Sequence, residues 1–108
     1  MPETVLTRQD QGRTNLTNVG NVLCLHLDES PTTGYAWVNR STGAALSLAG
    51  SDYAIGSAGA VGGGGVRSFR LAAVAPGTAT LRFALLRAWE AGAAPADEFS
   101  AQVEVRSP

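Results

Sequence analysis

The sequence is short of charge, cysteine, histidine and long apolar runs, and each shortage excludes a class of protein. With 8 basic and 9 acidic side chains in 108 residues, the chain has a net charge of −1 and no basic cluster. Nucleic acid and anionic membrane surfaces are therefore poor partners. No apolar segment is long enough to span a bilayer. Cys24 is the only cysteine, which excludes an internal disulfide and a multi-cysteine zinc motif.

The length and composition predict one globular domain over residues 1–108. A chain of this size with 44% hydrophobic residues can bury one core and is too small for two. The N-terminus lacks the basic stretch and apolar run of a secretory signal, so the cellular location stays open, and a periplasmic or secreted location requires a leader that has been removed. A single histidine and the lack of an acidic pair in a recognisable motif argue against an enzyme, and nothing in the sequence indicates a cofactor.

Alternating apolar and polar residues dominate the chain and predict an all-β protein. The clearest strand spans residues 99–106, where every second residue is apolar. Another spans residues 80–85, after a Pro76-Gly77 turn that we expect to join it in a hairpin to a strand at 68–74.

Further short strands complete a β-sandwich. We expect them at residues 4–8, 22–28, 35–39 and 46–48, with 53–55 as a candidate addition. Seven or eight short strands separated by turn signals are typical of an immunoglobulin-like antiparallel β-sandwich. Trp37 lies early in one of them, where such sandwiches often bury a tryptophan, so we expect it in the core.

Cys24, His26 and Asp28 share one face of a predicted strand, which nominally resembles a nucleophile pair or a metal site. The chain has no second histidine to complete a ligand set. Side chains in a row on one strand are expected to splay apart, on the face opposite three leucines. We therefore interpret them as exposed-face residues without a catalytic or metal role.

A compact turn with the sequence Ser-Pro-Thr-Thr-Gly-Tyr-Ala-Trp occupies residues 30–37. Pro31 fixes its own φ and Gly34 admits left-handed conformations, so the chain should reverse here with Thr32 and Thr33 at the tip. Such a tip is stiff, small and amphipathic, which suits insertion into a narrow polar cleft.

A run of four glycines, Gly62, Gly63, Gly64 and Gly65, is the second unusual segment. It lacks the lysine and hydroxyl residue of a phosphate-binding loop. One interpretation is a flexible connection. The other is an unhindered backbone that pairs with the backbone of another protein.

The third segment is Arg87-Ala88-Trp89-Glu90, which follows a predicted strand. Trp89 at the base of a loop either covers the core or serves as a binding anchor. Arginine and tryptophan are both enriched at binding hot spots, where a rigid ring buries a large area at little entropic cost.

Taken in order, the three segments resemble the chagasin family of cysteine protease inhibitors. The first loop of that family reads Asn-Pro-Thr-Thr-Gly followed by an aromatic residue, Ala and Trp, and this chain differs only at Ser30. The family's second loop carries Gly-x-Gly-Gly, which the glycine run satisfies. Its third reads Arg-Pro-Trp, and here Ala88 replaces the proline.

The resemblance implies an immunoglobulin-like sandwich that inhibits papain-like cysteine proteases reversibly and competitively, as a monomer in a one-to-one complex. By analogy, the threonine tip enters the active-site cleft, the glycine loop runs along the substrate-binding side, and Trp89, supported by Arg87, packs on the other side. The residues implied in protease binding are Ser30, Pro31, Thr32, Thr33, Gly34, Tyr35, Gly62, Gly63, Gly64, Gly65, Arg87 and Trp89.

The sequence also allows a second function and predicts a difference from the family that it resembles. The alternative function is an immunoglobulin-like adhesion or recognition module, which would leave protease activity untouched. The departures at Ser30 and Ala88 predict an inhibitor that is weaker or differently selective, because serine lacks the reach and extra donors of asparagine and alanine frees a dihedral that proline fixes.

Overall fold

The computed structural model describes residues 3–29, 34–55, 65–87 and 94–107. Within these segments the chain forms strands almost throughout, with one short 3₁₀ helix at Arg8–Asp10. The strands are β1 (Glu3–Leu6), β2 (Thr14–Asn18), β3 (Val22–Glu29), β4 (Tyr35–Asn39), β5 (Leu46–Ile55), β6 (Gly65–Ala73), β7 (Gly77–Arg87) and β8 (Asp97–Arg106). Among the residues that the structure describes, no helix has the length and apolar composition of a membrane span.

The strands form two four-stranded sheets, which confirms the predicted β-sandwich. The first sheet has the order β1-β3-β6-β5 and the second β2-β8-β7-β4. Most neighbours are antiparallel, but each sheet has one edge strand that is parallel to its neighbour: Leu6 pairs with Leu25 in the first sheet, and Thr14 with Gln102 in the second. The sheets are therefore mixed, because the chain passes from β1 to β2 by crossing between the sheets instead of returning in a hairpin.

The crossover from β1 to β2 is held by side chains at the 3₁₀ helix. The sequence predicts that the first strand reaches residue 8, but it ends at Leu6, because Thr7 caps the 3₁₀ helix. The Thr7 Oγ1 accepts from the Gln9 amide, and the Thr7 amide donates to the Asp10 carboxylate. The guanidinium of Arg8 makes a bidentate pair with Asp97, with N–O distances of 2.8 and 2.5 Å. The hydrogen bonds from Arg8 lower the pKa of Asp97.

The prediction of a hairpin across the Pro76-Gly77 turn is wrong. The preceding strand, β6, lies between β3 and β5 in the first sheet, whereas β7 lies between β8 and β4 in the second. The connection crosses from one sheet to the other, and the Val74 amide donates to the Ala45 carbonyl at 2.9 Å. A Pro-Gly turn reverses the chain without fixing its pairing partner, and here the two strands face each other across the core.

The two short strands expected at residues 46–48 and 53–55 are parts of one strand, β5. A bulge between Leu48 and Gly50 shifts the register without ending the pairing with β6. Bulges insert an extra residue and interrupt the alternation from which a strand is predicted. The interrupted alternation predicts two short strands where the structure has one long, bulged strand.

The sequence pattern does not predict β2, because its alternation is inverted. Leu16 is 57% exposed and Thr17 is buried. Its apolar residue thus faces solvent, so the strand is held by its parallel pairing with β8 and not by a buried apolar face.

The core lies between the sheets and uses the inward positions that alternation predicts. Phe69 of β6 and Phe83 of β7 pack with ring centroids 4.4 Å apart. Trp37 is 7% exposed, which confirms its predicted place in the core. Burying each large apolar side chain stabilises the fold by about 1.5–3 kcal/mol before the entropy of ordering is counted.

Candidate functional site

The three segments picked out from the sequence connect strands whose ends lie together. In the first sheet, Glu29 at the end of β3 pairs with Gly65 at the start of β6, which also pairs with Ile55 at the end of β5. In the second sheet, Tyr35 at the start of β4 pairs with Arg87 at the end of β7. We call residues 30–34, 56–64 and 88–96 the first, second and third loops, and the end from which they leave the loop end.

Hydrogen bonds join the two sheets at the loop end. The Trp37 amide donates to Glu29 Oε2 at 3.0 Å, and the Trp37 indole donates to the Asp28 carbonyl at 2.8 Å. These bonds link β3 of the first sheet to β4 of the second. The ends of all three loops therefore lie together at the loop end of the sandwich.

Four of the predicted protease-binding residues lie within the described residues. Gly34 has a φ of 82°, the positive region that the turn requires. Tyr35 and Arg87 are half-buried strand residues. Gly65 is buried in β6 between β3 and β5, so it anchors the second loop in the sheet. The others lie outside the described residues: Ser30, Pro31, Thr32, Thr33, Gly62, Gly63, Gly64 and Trp89.

Arg87 and Tyr35 form a cation–π contact at the loop end. The guanidinium carbon of Arg87 lies 4.3 Å from the centre of the Tyr35 ring. A contact of this kind stabilises by about 0.5–1 kcal/mol at exposed sites and more when it is desolvated. It fixes the last residue before the third loop against the first strand residue after the first loop.

Glu29 is a buried residue at the loop end that the sequence prediction missed. It is 3% exposed, and Arg67 donates to its Oε1 from Nε at 3.1 Å and from Nη2 at 2.8 Å. The signal is present in the sequence: Glu29 continues the inward series of alternate leucines on β3. Arg67 likewise holds the inward position before Phe69 on β6. Charged residues at inward positions on paired strands indicate a buried ion pair.

Tyr53 extends this cluster to β5. Its hydroxyl donates to the Glu29 carbonyl at 3.3 Å, and the guanidinium carbon of Arg67 lies 5.3 Å from the centre of its ring. The ring also fills the space beside Gly65, where a Cβ atom would collide with the Tyr53 hydroxyl and the Ala54 carbonyl. Glycine is therefore required at position 65 by packing.

Cys24 and His26 differ from the expected picture of splayed, exposed side chains. Cys24 is 7% exposed, and its Sγ lies 3.4 Å from Nε2 of His26, whose Nδ1 lies 3.1 Å from the Ser68 hydroxyl. The position is covered because β3 lies between β1 and β6, so that Cys24 has Val5 and Arg70 as neighbours.

Burial determines the chemistry of this thiol. Desolvation raises the pKa of Cys24, so the thiolate is scarce at neutral pH and the sulfur is a poor nucleophile. Across the described ranges, no three His, Cys, Asp or Glu side chains are placed to hold a metal ion. Cys24, His26 and Ser68 form a chain of polar contacts on one face of the first sheet.

Comparison with known families decides the function class. The model of the chagasin family of peptidase inhibitors matches residues 17–103. The chain belongs to this family. As a chagasin-family protein it is an inhibitor of cysteine proteases and not an enzyme. A search of curated protein sequences gives no match.

Experimentally determined structures agree with membership of the chagasin family. The chain is similar to a cysteine protease inhibitor from Entamoeba histolytica, with 26% identity, 98% of this chain and 97% of that chain covered, and a TM-score of 0.87. It is similar to amebosin at 27% identity, with 98% and 100% covered and a TM-score of 0.76. PbICP-C, whose structure is in complex with falcipain-2, shares the fold at 16% identity, with 97% and 99% covered and a TM-score of 0.59.

Proposed function

We propose that this chagasin-family protein inhibits papain-like cysteine proteases by occluding their active-site cleft with the three loops. Inhibition is reversible and competitive with substrate, because the inhibitor fills the cleft without offering a cleavable bond in register. The protein acts as a monomer in a one-to-one complex, since one chain carries all three loops.

The observation that carries this proposal is the meeting of the loop ends. Glu29, Tyr35, Gly65 and Arg87 lie at one end of the sandwich, within two sheets that hydrogen bonds join there. Three connections that leave a rigid scaffold side by side are suited to contact one partner surface. Chain order alone could not establish this placement.

Each loop has a distinct role in the proposed complex. Thr32 and Thr33 form the tip that enters the cleft and covers the catalytic cysteine and histidine of the protease. The residues that shape this turn are Ser30, Pro31, Gly34 and Tyr35. The backbone of Gly62, Gly63 and Gly64 pairs with the enzyme along the substrate-binding side. Trp89 packs on the other side of the cleft as an aromatic anchor.

Gly65 and Arg87 support these contacts from inside the fold. Gly65 fixes the position at which the chain leaves the second loop and enters β6. Arg87 stacks on Tyr35 next to the third loop. The complex of PbICP-C with falcipain-2 gives a protein of the same fold in contact with another protein and supports the choice of a protein partner. The inhibitor from Entamoeba histolytica supports a cysteine protease as the target.

A titration of the protein against papain and a cathepsin L-type enzyme tests this proposal. A fluorogenic peptide substrate reports activity, and substrate concentration is varied to establish competition. We expect reversible inhibition that the double variant Thr33→Ala/Trp89→Ala weakens by about 30-fold or more, because truncation of one hot-spot side chain costs about 2 kcal/mol.

Thr78→Ala provides the matched control. Thr78 is an exposed residue near the start of β7, at the opposite end from the loops, so its truncation should leave inhibition unchanged. The absence of inhibition by the unmodified protein at micromolar concentration would contradict the proposal and favour a recognition module with another target.

A further inference from the structure

We propose that Glu29 is a positioning residue that couples the first and second loops through its buried carboxylate. This inference rests on the proposed function, because the coupling matters to inhibition only if both loops contact the protease. Glu29 does not itself reach the partner: its side chain is 1% exposed.

The carboxylate closes the first loop from inside the sandwich. Glu29 is the last residue of β3, before the loop, and its Oε2 accepts from the amide of Trp37 in β4, after the loop. The Trp37 indole donates to the Asp28 carbonyl and makes a second tie across the same connection. Both bonds fix the distance between the two ends of the first loop.

The other carboxylate oxygen holds the strand that follows the second loop. Arg67 lies two residues into β6 from Gly65 and donates twice to Oε1. Tyr53, from the strand that precedes the second loop, donates to the Glu29 carbonyl and lies against the Arg67 guanidinium. One residue thus contacts the strands on both sides of both loops.

Burial makes this cluster sensitive to the loss of any partner. A carboxylate removed from water is stable only when its hydrogen bonds are made, and removing one partner leaves the other buried without compensation. The Arg67 side chain is 27% exposed, and the Glu29 carboxylate is the partner of its guanidinium inside the sandwich. Loosening either contact is therefore expected to loosen both loop bases.

Ordered loop bases favour binding because less entropy is lost when the complex forms. Loops held in the bound arrangement before contact give tighter inhibition without any additional contact to the enzyme. Glu29 contributes to inhibition in this way, through the backbone of β3 and β4.

The test compares Glu29→Gln and Arg67→Gln with the control Glu104→Gln. Glu104 also pairs with an arginine, Arg106, but that pair is exposed and lies at the end of β8 far from the loops. We expect Glu29→Gln and Arg67→Gln to weaken inhibition of papain by about tenfold or more at a temperature where each variant is fully folded. Glu104→Gln should inhibit as the unmodified protein does.

Amide hydrogen exchange in the free protein separates coupling from a general loss of stability. We expect Arg67→Gln to speed exchange at Trp37, whose amide donates to Glu29, as well as at Gly65 and Val66. Global unfolding is measured in parallel, so that exchange through complete unfolding can be subtracted. Arg67→Gln also keeps the test available if Glu29→Gln does not fold.

Two results would overturn the coupling. One is faster exchange at Gly65 and Val66 in Arg67→Gln with no change at Trp37, since the effect would then be confined to the second loop. The other is that Glu29→Gln and Arg67→Gln, both fully folded, inhibit papain as strongly as the unmodified protein does. If the unmodified protein inhibits neither protease, the proposed function fails, and exchange at Trp37 alone decides whether Glu29 couples the loop bases.

Discussion

The guanidinium carbon of Arg87 lies 4.3 Å from the centre of the Tyr35 ring. Arg87 ends β7 and Tyr35 begins β4, and the two residues are paired in register. The third loop therefore leaves the sandwich directly beside the point where the first loop returns. Two residues that lie far apart in sequence thus define a common base for the first and third loops.

Arg87→Gln tests the importance of this contact. Losing the cation–π interaction should cost about 0.5–1 kcal/mol and weaken protease inhibition about two- to fivefold if the energy is expressed in loop order. Inhibition constants for papain measure the effect. Arg82→Gln is the matched control, because Arg82 is exposed on the same strand; an equal loss in both variants would contradict a role specific to Arg87.

Gly65→Ala should destabilise the fold by about 1–3 kcal/mol, the usual cost of overpacking. The added Cβ would collide with the Ala54 carbonyl and the Tyr53 hydroxyl, so β5 must shift. The midpoint of urea unfolding measures the loss. Gly50→Ala is the control, since a Cβ at Gly50 meets nothing within 4 Å. Equal stability of the two variants would show that packing at position 65 is not restrictive.

Asp97→Asn should remove a contribution to stability that depends on pH. Hydrogen bonds from Arg8 lower the pKa of Asp97, so this contribution is fully present above the ordinary aspartate pKa of about 3.9 and is lost as the pH falls through the lowered value. Because the Arg8 and Asp97 side chains are 49% and 40% exposed, the contribution should be below about 1 kcal/mol.

Urea unfolding of the unmodified protein and Asp97→Asn at several pH values measures this dependence. The stability difference should be present near neutral pH and disappear in acid. It should also shrink at high salt, which screens exposed charges. A difference that stays constant down to strongly acidic pH would mean that the ion pair is not its source.

Ala88→Pro should tighten inhibition. Ala88 lies outside the described residues, and the prediction rests on the Arg-Pro-Trp sequence of the family's third loop. Fixing one backbone dihedral lowers the entropic free-energy cost of ordering the loop by about 0.4–1 kcal/mol. This corresponds to about a two- to fivefold lower inhibition constant. Unchanged or weaker inhibition of papain would count against a loop held in the family's conformation.

Period-two alternation was sufficient to predict much of the sandwich. It identified the strand of β8, where Phe99, Ala101, Val103 and Val105 are all buried, and the leucine face of β3. It failed where the sequence pattern of a strand does not determine which strand it pairs with. Strand pairing across the Pro76-Gly77 turn depends on which surfaces bury best against each other, and that is a property of the whole core.

The candidate site was predicted from motifs, and its supporting residues were not. The turn at residues 30–37 is recognisable because proline and glycine constrain the backbone directly. Glu29 and Arg67 carry a weaker signal, since a charged residue at an inward position indicates a buried pair only once its partner strand is known. Sequence therefore identified the proposed contact residues, and the structure was needed to identify the residues at their bases.

Chemical-shift mapping of the isotope-labelled protein on titration with papain tests the central claim most directly. If the loop end enters the active-site cleft, the perturbed amides include Glu29, Tyr35, Gly65 and Arg87 at the loop bases. Amides at the opposite end, such as Gly77, should keep their positions, and papain whose cleft is blocked by a covalent peptidyl inhibitor should cause no change. Perturbations centred on the opposite end, or equal binding to blocked papain, would contradict the account.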